Sequence, residues 1–166
     1  MCVPYEGRRQ RQTLAGCGAL NALHTGECIF GEVDALIDGI NHITFVVKDL
    51  QRTAVFLEKI FGAKEVYSSS TAKYFLINDL WIALNKGESL PEATYDHLAF
   101  TVQDSDFDEL VERVRGFGAE IVQGRTRLEG EGRSIYFYDY DNHLFELHTG
   151  TLSERLDCYF EDECTG

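Results

Sequence analysis

NHITFVVKDL at 41–50 returns in altered form as DHLAFTVQDS at 96–105. His42 matches His97, Phe45 matches Phe100, Val47 matches Val102 and Asp49 matches Asp104, each pair 55 residues apart. FGAKEV at 61–66 is answered by FGAEIV at 117–122 with an offset of 56, so one residue has been gained between the echoes. A repeat of this length marks a chain built from two copies of one supersecondary unit.

The segments around each echo repeat in the same order. INHITFVV reads as a buried strand, and LQRTAVFLEKIFG as a helix with Val55, Phe56 and Ile60 on its apolar face and Gly62 as its stop. KEVYSS, AKYFLIN and LWIALNK follow as three short strands separated by turn residues. In the second copy YDHLAFTV is a strand. SDFDELVERVRGFG is a helix, with Ser105 the expected N-cap and Asp108 three residues on, and AEIVQG, RSIYFYDY and HLFELHT are strands. The expected fold is α+β, two tandem βαβββ modules at about 39–87 and 94–150, within one domain spanning 39–159. The halves should pack as related sheets with a concave side where they meet.

Residues 1–35 lack this periodicity. We expect 1–38 to be a disordered extension or a mis-assigned start, with Leu36 or Val33 as initiation site, and 160–166 to be a tail. The formal net charge of −13 disfavours nucleic acid and anionic membranes as partners. No apolar run reaches the ~18 residues of a membrane span, and the N-terminal segment is too polar for a secretory signal, so the expected location is cytoplasmic. The five cysteines, Cys2, Cys17, Cys28, Cys158 and Cys164, lie outside the repeat. Their spacing fits neither a disulfide framework nor a zinc site.

Chemistry concentrates in two places. His42 and His97 hold equivalent positions in the two units, and Glu146 shares a strand face with Leu144 and His148 in the closing strand. Two histidines and a carboxylate facing one cavity make a metal-site constellation with positions left for substrate. A single strand histidine is more often an ordinary hydrogen-bonded side chain, and His143 and His148 compete in the same segment. His148 could orient a ligand from behind. The second place is RTRLEGEGRSIYFYDYDNH at 125–143. There Ser134, Tyr136 and Tyr138 share a strand face, beside Arg125, Arg127 and Arg133 in an otherwise acidic chain. Arginines and hydroxyls grouped in this way suit a phosphate or phosphonate; a solvated loop is the plainer alternative.

His42-x-Thr44, DHLAF and EGEGRSIYFYDYDNHLFELHTGTLSERL together resemble the fosfomycin-resistance enzymes of the vicinal oxygen chelate superfamily, over about 40–159. The stretch 129–156 most resembles the branch that hydrates fosfomycin. The resemblance implies Mn²⁺ held by His42, His97 and Glu146, with Thr44 beside the epoxide oxygen. It also implies Arg127, Ser134, Tyr136 and Arg155 on the phosphonate and Trp81 flanking the substrate. It further implies homodimers whose sites draw on both chains. A 2-His-1-Glu set does not by itself select Mn²⁺ over other divalent ions. K⁺ near the EGEG loop is implied by some thiol-using relatives, although their loop differs.

One departure bears on the reaction. In the hydrating branch a Glu lies nine residues before this Trp and serves as general base; here that position is Ala72. Tyr74, the short hairpin VYSSSTAKY and WIALN resemble the relatives that use a thiol. Water, with a pKa near ~15.7, needs a base to attack an epoxide, whereas a thiol with a pKa near ~8.5 is already a few per cent thiolate at neutral pH. Glu65 is the nearest upstream carboxylate and does not stand in for the base. The expected reaction is therefore addition of a thiol, glutathione by default, with Tyr74 orienting it; hydration is the alternative. A glyoxalase-type isomerase would need a base where Ala83 mirrors Glu146. A dioxygenase would not call for an anion site, and a metal-free drug-binding protein would not keep three ligands.

Overall fold

The computed structural model describes residues 37–165, with side chains as far as Phe160. The expectations for 1–36, including the alternative start, lie outside the described residues. The elements are β1 (His42–Val47), α1 (Leu50–Phe61), β2 (Lys64–Ser68), β3 (Ala72–Ile77), β4 (Leu80–Lys86), β5 (His97–Thr101), α2 (Asp104–Phe117), β6 (Ile121–Val122), β7 (Ser134–Tyr138), β8 (Leu144–His148) and α3 (Leu152–Thr165). They form two four-stranded sheets with matching strand orders, β1-β4-β3-β2 and β5-β8-β7-β6. In each sheet the first pair is parallel and the others antiparallel. This is the duplicated βαβββ unit expected from the repeat.

Local chemistry explains most boundaries. Asp49 caps α1 by accepting from the backbone N–H of Gln51 at 2.9 Å and Arg52 at 3.0 Å. Gly62 ends the helix in the left-handed conformation, as Gly118 ends α2. Ser105 is not the cap of α2. The helix begins one residue earlier, Gln103 holds the cap position without a side-chain hydrogen bond, and the Ser105 hydroxyl turns to Asp106. The helix α3 is not predicted by the sequence pattern, and its backbone continues through the stretch expected as a tail as far as Thr165.

A single apolar core joins the modules. Leu50, Ala54, Phe56, Leu57 and Ile60 of α1 are buried with Phe75, Ile82 and Leu84 of the first sheet and Phe137, Phe145 and Leu147 of the second. Phe56 lies 5.7 Å from Phe145 and 6.2 Å from Phe137, ring centre to ring centre. Asp141, in the β7–β8 turn, adds a polar tie by accepting from the Lys48 N–H at 3.0 Å. Because strand side chains alternate, filling this core from one face of each sheet leaves the other face for different work.

Candidate active site

The strand register defines that second face. In the first sheet it carries three rows: His42, Trp81 and Leu76; then Thr44, Ala83, Tyr74 and Tyr67; then Asn85 and Ala72 beside Val46. In the second sheet the rows are His97, Leu144 and Tyr138; then Ala99, Glu146 and Tyr136; then Thr101, His148 and Ser134. The two histidines are therefore equivalent in register, and Ala83 occupies in one sheet the place of Glu146 in the other. On β1 and β5 this face is open: His42, Thr44 and Val46, like His97, Ala99 and Thr101, are at least partly exposed.

The histidines share a second feature. His42 Nδ1 lies 2.7 Å from the Asn41 side-chain oxygen, and His97 Nδ1 lies 2.7 Å from the Tyr95 carbonyl. An oxygen acceptor holds the proton on Nδ1, so the Nε2 lone pair of each ring is left for a metal or another proton. His97 Nε2 points at Glu146 Oε2, 2.9 Å away. His42 packs instead against Trp81, ring centres 4.4 Å apart. Among the described residues no three histidine, cysteine or acidic side chains converge on one point. One chain thus assembles two of the three expected ligands and keeps the third on its other sheet.

Around Glu146 the second sheet gathers most of the expected anion-binding groups. Arg127 Nη2 donates to Glu146 Oε1 at 2.6 Å and to the Tyr136 hydroxyl at 2.9 Å, and the Ser134 hydroxyl donates to Glu146 at 2.5 Å. Burial pushes the Glu146 carboxyl up, but Ser134, Tyr136, Arg127 and His97 together outweigh it and hold the carboxyl below its ordinary range. Burial, then the bond to Glu146, raises the Tyr136 phenol. His148 links Ser134, at 2.8 Å from Nδ1, to Arg155, at 3.4 Å from Nε2. Burial lowers its pKa, so its neutral form is favoured here.

Three buried donors point at the chemistry this site can accept. Arg127 Nη1, Arg155 Nε and Trp81 Nε1 are buried and have no hydrogen-bond partner among the described residues. Buried donors are rarely left so, and two of these three belong to arginines of the expected phosphonate site.

Two other arginines of the loop behave differently. Arg133 turns away to Asp104 and Asp108 of α2, with its guanidinium over the Phe107 ring. Arg125 is taken up by Glu131, a fully buried carboxylate that the sequence reading does not single out as a functional residue. Its sign in the sequence is the pair of glycines in EGEG; Gly130 and Gly132 both have positive φ, which turns the intervening side chain inward.

The first-sheet face shows what Ala72 leaves. Tyr74 lies 5.3 Å from Trp81 and 4.9 Å from Tyr67, ring centre to ring centre. Its neighbours across the strands are Ala83 and Tyr67, and no carboxylate stands in the three rows of this face. Glu65 is bound at 2.7 Å to Lys73, a buried lysine on the opposite face of β3, and is not free to act as a base towards the site.

Two repeated modules with a histidine at the same register position of each leading strand define a class, and the chain belongs to it: the Glyoxalase/Bleomycin resistance protein/Dioxygenase superfamily, whose family model matches residues 39–147. Within that class it groups with the fosfomycin-resistance proteins. It is 56% identical over 131 residues to the fosfomycin resistance protein FosX of Listeria innocua, covering 75% of this chain and 98% of that protein. It is 40% identical over 131 residues to the metallothiol transferase FosB of Lysinibacillus sphaericus, covering 76% of this chain and 93% of that one. Among solved structures it resembles a mutant of FosX from Listeria monocytogenes in complex with Mn(II) and 1S,2S-dihydroxypropylphosphonic acid. The TM-score is 0.72 at 55% identity, covering 75% of this chain and 99% of that one.

Proposed function

We propose that this protein is a metal-dependent fosfomycin-resistance enzyme that opens the epoxide of the drug by nucleophilic addition. The observation that carries the reading is the cluster of Arg127, Tyr136 and Ser134 around Glu146 and His97, with Arg155 beside His148 and a buried Arg127 nitrogen left over for an anion.

The donor set, two imidazole Nε2 atoms and a carboxylate, suits Mn²⁺ and neighbouring divalent ions alike. His97 and Glu146 would hold the ion together with His42 from a second copy of the chain. The open faces of β1 and β5 support such a homodimer, since each would be covered by the partner and each site completed by it. When bound, the ion supplies Lewis acidity that weakens the epoxide C–O bond. Arg127 and Arg155 neutralise and orient the phosphonate, and Ser134 and Tyr136 fix its rotation. Thr44 stands in the row beside Ala83, where its hydroxyl can donate to the oxygen that gains charge as the ring opens. Trp81 walls the substrate. The setting is cytoplasmic, where a thiol co-substrate is available.

On the nucleophile, geometry and likeness pull apart. The face that carries Tyr74 has no carboxylate to take a proton from water, which favours a thiol, glutathione by default, oriented by Tyr74. A thiol reaches useful thiolate levels without a strong base. The second reading, hydration, is favoured by the higher identity to proteins named FosX and by the diol bound in the solved relative. Phosphorus NMR of fosfomycin with the Mn²⁺-loaded protein, with and without glutathione or other thiols, separates them. A new signal only with thiol supports thiol addition. A diol signal without thiol establishes hydration and overturns the thiol reading. Unchanged drug in every tube overturns the fosfomycin reading.

A further inference from the structure

The loop from Gly124 to Arg133 is organised around Glu131. Its side chain is 0% exposed, and its two oxygens take both terminal nitrogens of Arg125, at 2.6 Å and 2.9 Å. Glu131 Oε2 also accepts from the Leu128 N–H at 2.6 Å, and Arg155 Nε lies 4.0 Å from Oε1. Arg125 Nη1 donates in addition to the Thr126 carbonyl at 3.0 Å. The loop is pinned from outside by Gly132, where a Cβ would come within 2.5 Å of the Gly150 nitrogen. Arg127 therefore lies between two residues, Arg125 and Leu128, that both bind one buried carboxylate.

A monovalent cation in this loop would need oxygen ligands, and the best of them is Glu131. Its oxygens are already occupied by a planar fork whose two N–H groups match the carboxylate. A K⁺ ion arriving there would meet the positive charge of Arg125, already seated on both carboxylate oxygens. The residues present do not fit K⁺.

We propose that Arg125 is the resident cation of this loop and that Glu131, by holding Arg125 and the Leu128 N–H on either side of Arg127, is the positioning residue that sets Arg127, so that the enzyme works without a bound monovalent ion. The inference rests on the fosfomycin reading for its kinetic arm and on the protein alone for its stability arm.

The test uses the full-length, Mn²⁺-loaded protein in K⁺-free buffer, with tetramethylammonium chloride keeping ionic strength constant. For the unaltered protein, exchanging tetramethylammonium for K⁺ leaves both the turnover of fosfomycin and the thermal midpoint unchanged. Arg125→Ala opens a guanidinium-sized space beside Glu131. It raises KM for fosfomycin on the order of tenfold with a smaller change in kcat. It also lowers the thermal midpoint, and low concentrations of guanidinium or K⁺ restore both, whereas tetramethylammonium does not. A merely structural role would give no cation-selective rescue. Acceleration of the unaltered protein severalfold by K⁺ would overturn the proposal, as would an Arg125→Ala protein with unchanged KM and midpoint. If Arg125→Ala does not fold, the cation series on the unaltered protein decides by itself. Absence of turnover in every buffer would count against the fosfomycin reading, while the midpoints still decide the cation question.

Discussion

Ala83 stands in the first sheet where Glu146 stands in the second: Ala83 is the register partner of Thr44 on β1 as Glu146 is of Ala99 on β5. The duplication has kept a histidine in both copies and a carboxylate in one. In the proposed site each chain would thus offer His97 with Glu146 as one half and His42, packed on Trp81, as the other. Replacing Glu146 by Gln should lower metal content, measured by elemental analysis after dialysis. The loss should exceed the ~10–100-fold typical of losing only an outer hydrogen-bond partner. Ala83→Ser, at the mirrored position, should leave metal content unchanged. Equal retention in Glu146→Gln would remove Glu146 from the ligand set.

Ala72 lies in register with Asn85 on the face that also carries Tyr74 and Thr44. A carboxylate there would be placed to take a proton from water. Ala72→Glu is expected to raise thiol-independent diol formation, read by phosphorus NMR, by about tenfold or more, the low side of what a positioned general base contributes. If the variant makes no more diol than the parent, the missing carboxylate is not what decides the nucleophile.

The helix α2 starts without a side-chain cap at Gln103, while Asp49 caps α1; the repeat counterpart of Asp49, Asp104, is already the first residue of α2. Gln103→Ser should therefore stabilise the fold by about 1 kcal/mol, and Asp49→Ala should destabilise it by about the same amount. Thermal unfolding would show shifts of opposite sign, each of roughly 2–8 °C for a domain of this size.

Arg125 beside Glu131, outweighing the cost of burial and helped by the Leu128 N–H, pulls the Glu131 carboxyl down from 4.5 to about 2. A carboxyl whose folded pKa is depressed binds its proton more readily in the unfolded chain. Its contribution is therefore complete above about 4.5 and is lost as pH falls towards about 2. Glu131→Gln should be less stable than the parent at neutral pH, and the gap between their denaturant midpoints should close across that window. A gap that stays constant down to the lower end of the window would mean Glu131 is not held ionised by the fold.

The repeat, both module helices, the βαβββ succession of elements and the faces carrying His42, His97 and Glu146 are legible in the sequence because they rest on local periodicity; the order of strands within each sheet is not. A period of two places Glu146 and His148 together, and helical periodicity marks Phe56 and Ile60 as core-facing, as they are; Val55, expected beside them, is only half-buried, and Leu50, Ala54 and Leu57 complete the face. Ser105 looks like a cap because serine caps helices by a side-chain bond, but backbone geometry can forgo that bond, and here the helix starts at Asp104. The helix α3 escapes the sequence pattern because LSERLDCYFEDECT has only a weak apolar stripe.

What the sequence by itself determined is the class of fold and the chemical types at the site, since those follow from pattern and composition along one strand at a time. Only the tertiary structure decided which arginine serves which carboxylate. RTRLEGEGR places Arg125, Arg127 and Arg133 in one short loop. Yet Arg125 goes to buried Glu131, Arg127 to Glu146 and Arg133 to the acidic edge of α2. It also decided that His42 stands apart from His97 and Glu146 in one chain. Pairings of this kind depend on which long side chains meet across strands and loops once the core has closed. Spacing along a loop carries no information about where a guanidinium at the end of a flexible stem will find its partner.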